Sequence, residues 1–190
     1  MLNRMNKYSK EIRFRNEKMN LYLVGYMGTG KTTAGKLLAE KLNRPFTDVD
    51  EFIESRYHKT IATIFEEKGE AGFREIEHHV LQEISRFENT VVSTGGGLPC
   101  FFNNMDLMNQ TGITVYLKTN VTDLFSRLNS GKQKRPLIKE KNPEELRAFI
   151  ETNLKEREFF YNQAALIFDV PHYYTKREMN RWVKKLLIKI

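Results

Sequence analysis

Residues Gly25-Tyr26-Met27-Gly28-Thr29-Gly30-Lys31-Thr32 fit the pattern G-x-x-x-x-G-K-[ST]. Each fixed position of that pattern has a mechanical task. Its glycines let backbone N–H groups turn inward around a polyphosphate. Its lysine reaches the β- and γ-phosphates, and its threonine hydroxyl can ligate Mg²⁺. The setting is right as well. Leu21-Tyr22-Leu23-Val24 is an apolar, strand-like run before the loop, and Ala34, Leu37, Leu38 and Leu42 recur at helical spacing after it. A helix starting there aims its N-terminal dipole and free N–H groups at the anion. Gly28, Thr29, Gly30, Lys31, Thr32 and Thr33 are therefore the expected ATP-binding set.

Further candidates follow the next strand-like segments. Asp48-Val49-Asp50 comes after Phe46-Thr47, and strand alternation would send both aspartates to one side. They could cap and charge the start of a helix. Alternatively, Asp48 holds a magnesium shell through water and Asp50 accepts a proton or hydrogen bond from a substrate hydroxyl. No aspartate ends Val91-Val92-Ser93, where a P-loop protein commonly carries its metal carboxylate, and this favours Asp48. Gly95-Gly96-Gly97 follows that run; it is a flexible turn or a place where backbone approaches a ligand. Arg74 and Glu77 are three apart, so Glu77 can orient Arg74, or the two form a surface salt bridge. Residues 130–142 hold Lys132, Lys134, Arg135 and Lys139 without periodicity. Beside a phosphate loop they read as a solvated loop or as a mobile lid that brings Arg135 onto the transferring phosphoryl group. Arg157, on the helix beyond, could face the same cleft.

The elements that must position these groups alternate between strand and helix. Strands are expected at 21–24, 46–47, 90–93, 113–117 and 166–168. Helices are expected from 33 and over about 49–57, with a short one from Thr60 to near Gly69. A longer helix carries Phe73, Ile76, Val80, Ile84 and Phe87. Others cover 121–128 and 143 to about 161, the latter with Pro143 as its first residue. The C-terminal helix carries Met179, Trp182, Val183, Leu186, Leu187 and Ile190. Such alternation implies an α/β domain with a parallel sheet covered on both faces, and ligands beyond the carboxyl ends of its strands.

The 190 residues suit one domain. Net charge is +7, with 31 basic and 24 acidic residues, but no block of like charges and no nucleic-acid-binding signature is present. A cleft for ATP and a second anion explains the excess. Apolar runs fall well short of the roughly 20 residues that span a bilayer, and Cys100 is the only cysteine, so a cytoplasmic monomer without disulfides or nucleic-acid and membrane partners is expected. Residues 1–19 carry Arg4, Lys7, Lys10, Arg13, Arg15 and Lys18 against Glu11 and Glu17, with no apolar core of a signal peptide. They read as a basic extension outside a domain of residues 20–190.

Taken together, several stretches resemble the shikimate kinase family in order and spacing, from about Asn20 onward. They are residues 25–33, Phe46-Thr47-Asp48-Val49-Asp50 with Ile53-Glu54, and Ile64-Phe65 with Gly69-Glu70. Phe73-Arg74 with Glu77, Gly95-Gly96-Gly97, Arg135-Pro136-Leu137 and Arg157 complete the set. The resemblance implies a three-layer αβα P-loop kinase fold with a five-stranded parallel sheet and a mobile lid. It implies transfer of the ATP γ-phosphoryl group to the 3-hydroxyl of shikimate, with Mg²⁺, in aromatic amino-acid biosynthesis. Carried over residue by residue, Lys31, Asp50 and Arg135 are catalytic, and Thr32 with Asp48 serves the metal. Asp50, Arg74, Gly95, Gly96, Gly97 and Arg157 bind shikimate, the two arginines on its carboxylate. The lid is richer in lysine than the family pattern, and the adenine site has no clear signature beyond Arg127 and the segment after Phe168. The alternatives are a gluconate-type or nucleoside-monophosphate kinase of the same fold, or a non-catalytic ATP-binding module.

Overall fold

The structure is a computed structural model that describes residues 19–131, 138–173 and 175–190. Five strands form one sheet: β1 (Asn20–Val24), β2 (Phe46–Asp48), β3 (Val91–Ser93), β4 (Gly112–Lys118) and β5 (Leu166–Asp169). Their order is β2-β3-β1-β4-β5, and every pair is parallel. Leu21 pairs with Val91 on one side and with Ile113 on the other. Alternation along the central strand supplies two cores. Tyr22 and Val24 join one, with Val92 and Tyr116, while Leu21 and Leu23 join the other, with Val91, Val115 and Leu117.

The helices fill the outer layers. On the second face lie α1 (Lys31–Leu42), through Ala34 and Leu38, and the C-terminal helix α7 (Lys176–Leu187), through Met179, Trp182, Val183 and Leu186. The first face is covered by α2 (Val49–Tyr57), α3 (Ile61–Ile84), α4 (Asn104–Thr111), α5 (Val121–Gly131) and α6 (Pro143–Tyr161). Side chains cap several helix starts, Thr60 among them as expected. Thr60 accepts from Thr63 N at 3.1 Å, and Asn142 and Thr175 each form a reciprocal capping box with Glu145 and Glu178.

Two expectations need correction. The short helix after Thr60 and the longer one after it are both present as expected, run together in α3 across a non-helical Gly69 (φ 69°, ψ −177°), a positive φ that glycine adopts without a Cβ penalty. The turn Leu98–Cys100 and α4 were not foreseen; eight residues with Met105 and Met108 as the buried apolar pair are too short for a periodic signal. The proposed lid starts too early, because Ser130 and Gly131 end α5, and its far part contributes Ile138, which is fully buried. Arg135 lies outside the described residues, as do residues 1–18.

Candidate active site

The phosphate loop leaves the end of β1 and enters α1. Gly25, Gly28 and Gly30 hold φ of 139°, 83° and 92°, values that explain why these positions are glycine. Gly30 precedes the first turn of α1, so that helix presents its free N–H groups to the loop. Thr29 is buried, its hydroxyl donating to Tyr26 O at 3.0 Å. Thr33 is exposed at the loop's mouth. Lys31 is nearly buried, and its Nζ donates to Gly25 O at 2.7 Å and Tyr26 O at 2.9 Å. The loop's own carbonyls thus hold the ammonium group in place at the phosphate site.

A cavity of about 350 Å³ opens over this loop, lined by Gly28, Gly30, Lys31, Thr32, Thr33, Asp48, Asp50, Gly96 and Arg127 among others. The ends of β1, β2 and β3 therefore converge on one space. At its floor the Thr32 hydroxyl donates to Asp48 Oδ2 at 2.8 Å. Asp48 is also a helix cap, since its Oδ1 accepts from the backbone N–H of Asp50 and Glu51 at 3.0 and 3.4 Å. The cap uses Oδ1 and leaves Oδ2 to the Thr32 hydroxyl. Asp50 stands in the first turn of α2, beyond the strand end, so it is helix geometry that aims it. Burial pushes its carboxyl up to about 6, aided by the like charge of Asp48 and opposed by Lys31.

Arg74 and Glu77 on α3 are not a surface pair. Both are buried, Glu77 to 1% exposure. Arg74 NH1 donates to Glu77 Oε2 at 2.5 Å, while Nε and NH2 donate to Glu70 Oε1 at 3.3 and 2.9 Å. Those bonds use three of the five guanidinium N–H groups, leaving one on each terminal nitrogen. Burial pushes the Glu77 carboxyl up to about 7, against the pull of Arg74. For Arg74 burial acts downward, but the carboxylates of Glu77 and Glu70 outweigh it and hold the guanidinium charged.

The glycine run explains how these groups fit together. None of the three has positive φ. Their requirement is space. A Cβ on Gly95 would lie 2.8 Å from Glu77 Oε1 and 2.9 Å from Asp50 Oδ1. One on Gly97 would lie 2.6 to 2.8 Å from three atoms of the Arg74 guanidinium, and one on Gly96 would lie 3.2 Å from Met27 N in the phosphate loop. Gly96 O accepts from the Tyr161 hydroxyl at 2.6 Å, which ties α6 to the run. Arg157, one turn before Tyr161 on that helix, sits with its guanidinium carbon 5.6 Å from the Tyr26 ring centre and acts electrostatically on Glu77. All the acceptor-side candidates within the described residues are thus gathered beside the phosphate loop.

Two contacts here had no sequence signal: Phe101 over Arg74 and Tyr161 on Gly96. Arg127 and the segment after Phe168, which the sequence offered for the adenine side, meet where the Arg127 guanidinium carbon lies 4.1 Å from the Tyr173 ring centre. Arg127 NH1 in turn donates to Gly28 O at 3.4 Å. A metal fits the donor set. One hydroxyl and one carboxylate, hydrogen-bonded to each other beside the phosphate loop, suit Mg²⁺, which keeps several waters and phosphate oxygens of its own. Among the described residues, no group of three or more His, Cys, Asp or Glu could hold a metal on its own, and no helix is long and apolar enough to cross a membrane. A second cavity, of about 240 Å³, lies at the opposite end of the sheet against Gly112, Ile113, Leu166 and Ile190, away from this chemistry.

Comparisons with known proteins show the family and the fold. A family model for shikimate kinase matches residues 27–187. A curated shikimate kinase from Azobacteroides pseudotrichonymphae is 53% identical over 171 residues, covering 90% of this chain and 98% of that one. The crystal structure of shikimate kinase from Bacteroides thetaiotaomicron superposes with a TM-score of 0.86 at 47% identity, over 90% of this chain and 99% of that one. Shikimate kinase from Acinetobacter baumannii in complex with shikimate gives a TM-score of 0.77 at 37% identity, over 90% and 91%. With its parallel five-stranded P-loop kinase fold and a match spanning nearly the whole chain, the protein belongs to the shikimate kinase family.

Proposed function

We propose that this enzyme transfers the γ-phosphoryl group of ATP to the 3-hydroxyl of shikimate, giving ADP and shikimate 3-phosphate. The observation that carries the reading is the shared cavity. Lys31 and Thr32 on the ATP side and Asp50 and Gly96 on the acceptor side line one space, with the Arg74 fork directly behind Gly97.

Each group has a task that follows from its chemistry. Lys31 exchanges loop carbonyls for β- and γ-phosphate oxygens and neutralises charge as it develops. Thr32 and Asp48 would hold Mg²⁺, Asp48 through water, and the ion supplies charge neutralisation across the phosphates when bound. Asp50 accepts a hydrogen bond from the reacting hydroxyl and aligns its oxygen with the phosphorus; a carboxyl titrating near 6 is largely ionised at neutral pH and can take that proton. Arg74 offers one N–H from each terminal nitrogen, a fork that fits a carboxylate bidentately, and Arg157 adds a second cation. Gly95, Gly96 and Gly97 let acceptor and side chains approach the backbone. Arg135 would complete the phosphoryl clamp from the lid. No covalent enzyme intermediate is needed, so positioning and charge stabilisation supply the rate. The enzyme is read as a cytoplasmic monomer working in aromatic amino-acid biosynthesis.

A coupled ADP-release assay over shikimate, gluconate and nucleoside monophosphates tests the reading. Shikimate alone should support turnover. Preferential release with gluconate or a nucleotide acceptor would replace it with that kinase activity.

A further inference from the structure

Beyond the glycine run the chain makes a strap that the reaction described above does not use. The turn Leu98–Cys100 is closed by Cys100 N donating to Gly97 O at 2.8 Å. The strap then passes through Phe101 and Phe102 into α4, where Asn104 N donates to Phe101 O at 3.3 Å and Asn104 Nδ2 to Leu98 O at 2.8 Å. Phe102 holds φ 51° and is 59% exposed. A bulky side chain in the left-handed region is a genuine outlier and persists only when its surroundings impose it.

The contacts show what that conformation achieves. In extended backbone, successive side chains point to opposite sides. Here Phe101 and Phe102 both meet α3. The Arg74 guanidinium carbon is 4.4 Å from the Phe101 ring centre, nearer than to Phe73 at 5.4 Å or Phe65 at 5.8 Å. The Phe102 ring is 4.8 Å from that of His78. Arg74 and His78 are one helical turn apart on the same face. His78 is itself fixed, with Nδ1 2.6 Å from Asn104 Oδ1 and Nε2 3.0 Å from Gln82 Nε2. The strap therefore grips two successive turns of α3, one ring on each.

We propose that Phe101 is a positioning residue for the acceptor: its ring sets the plane of the Arg74 guanidinium so that the two N–H groups left by Glu70 and Glu77 meet the acceptor carboxylate as a fork. The proposal rests on Arg74 being the carboxylate ligand. A guanidinium plane lies naturally on an aromatic face. Without that face, Arg74 keeps its bonds to Glu77 and to Glu70, whose side chain is 62% exposed, and the more distant Phe73 and Phe65 rings, none of which lies as close to the guanidinium carbon as the Phe101 ring. Phe102, stacked on His78, anchors the ring that does this work without touching Arg74.

Steady-state kinetics of Phe101→Leu and Phe101→Tyr with shikimate and ATP, run beside thermal melts, test this. Phe101→Leu keeps apolar bulk and loses the ring. It should raise the KM for shikimate about tenfold, the scale of a lost cation–ring contact, with kcat and the KM for ATP within about twofold of the parent. Phe101→Tyr restores the face and should behave like the parent. In an Arg74→Lys background Phe101→Leu should have little further effect, because the flat partner is gone. Should Phe101→Leu melt out below assay temperature, Phe101→Met carries the same expectation. An unchanged shikimate KM in the folded ring-less variant, an equal rise in both KM values, or the same penalty in the Arg74→Lys background would overturn the proposal. A parent enzyme active on another acceptor but not on shikimate would overturn the functional reading and this proposal with it, a result distinct from activity on shikimate that ignores Phe101.

Discussion

Thr32 and Asp48, sixteen residues apart, share one hydrogen bond of 2.8 Å at the floor of the active cavity, while the other oxygen of Asp48 caps α2. One carboxylate thereby couples the phosphate-loop helix to the helix that carries Asp50. Its two oxygens meet different partners, and a variant that keeps the cap but not the charge tells them apart.

Asp48→Asn keeps a good capping side chain but loses the charge. Its melting temperature should stay close to the parent's. The magnesium concentration for half-maximal activity should rise on the order of tenfold, the usual cost of disturbing a metal's outer partners. A magnesium titration superposable on the parent's would leave Asp48 with the capping role alone.

Removing either arginine should separate the two substrates. A charged hydrogen bond contributes about 1.5–3 kcal/mol, so Arg74→Ala or Arg157→Ala should weaken shikimate binding roughly 10- to 100-fold. ATP affinity, measured by titration without acceptor, should hardly move. Parental shikimate affinity in both variants would remove these residues from the acceptor site.

Gly97 has φ −88° and ψ −28°, a conformation alanine adopts freely. Gly97→Ala should therefore fold without backbone strain. Its methyl group would meet the Arg74 guanidinium at 2.6 to 2.8 Å and displace it. A shikimate KM raised about tenfold, equivalent to about 1.4 kcal/mol, with unchanged ATP KM is expected; unaltered kinetics would show that Arg74 has room to move.

Glu77 should leave a pH signature on stability. Its carboxyl is raised by burial from 4.5 to about 7 in the folded protein. Between those values the native state holds the proton more tightly than the unfolded chain, so the contribution is complete below about pH 4.5 and is lost as pH rises through 7. Each pK unit corresponds to about 1.4 kcal/mol. The melting temperature of the parent minus that of Glu77→Gln should therefore fall between pH 5 and pH 8. A difference independent of pH would contradict the shift.

A chain beginning at Met19 should fold and turn over normally. The sheet starts at Asn20, and every motif placed in the site lies after it. The melting curve and specific activity of the shortened protein check this, with a stability change within about 1 kcal/mol expected. A larger loss would show that residues 1–18 dock on the domain.

What could be read from sequence alone was whatever is encoded locally. Gly25 to Thr32 announces a phosphate loop because each position needs its own residue type. Short apolar runs marked the strands and spacings of about 3.6 marked most helices, and Thr60 and Pro143 sit at the helix starts where they were expected. Helix α4 escaped because two apolar positions in eight residues make no period. Other features exist only once the sheet order β2-β3-β1-β4-β5 is built. That order sets β3 between β1 and β2, so the turn after it meets the phosphate loop on one side and α3 on the other. Only then does Gly97 become the space for a guanidinium and Arg74–Glu77 a buried pair. The same placement sets Phe101 over Arg74 and binds Tyr161 to Gly96. Periodicity reports which face of an element is apolar. Which residues of other elements reach a polar group on that element is decided by tertiary packing, because such contacts join positions far apart in the chain and carry no local pattern.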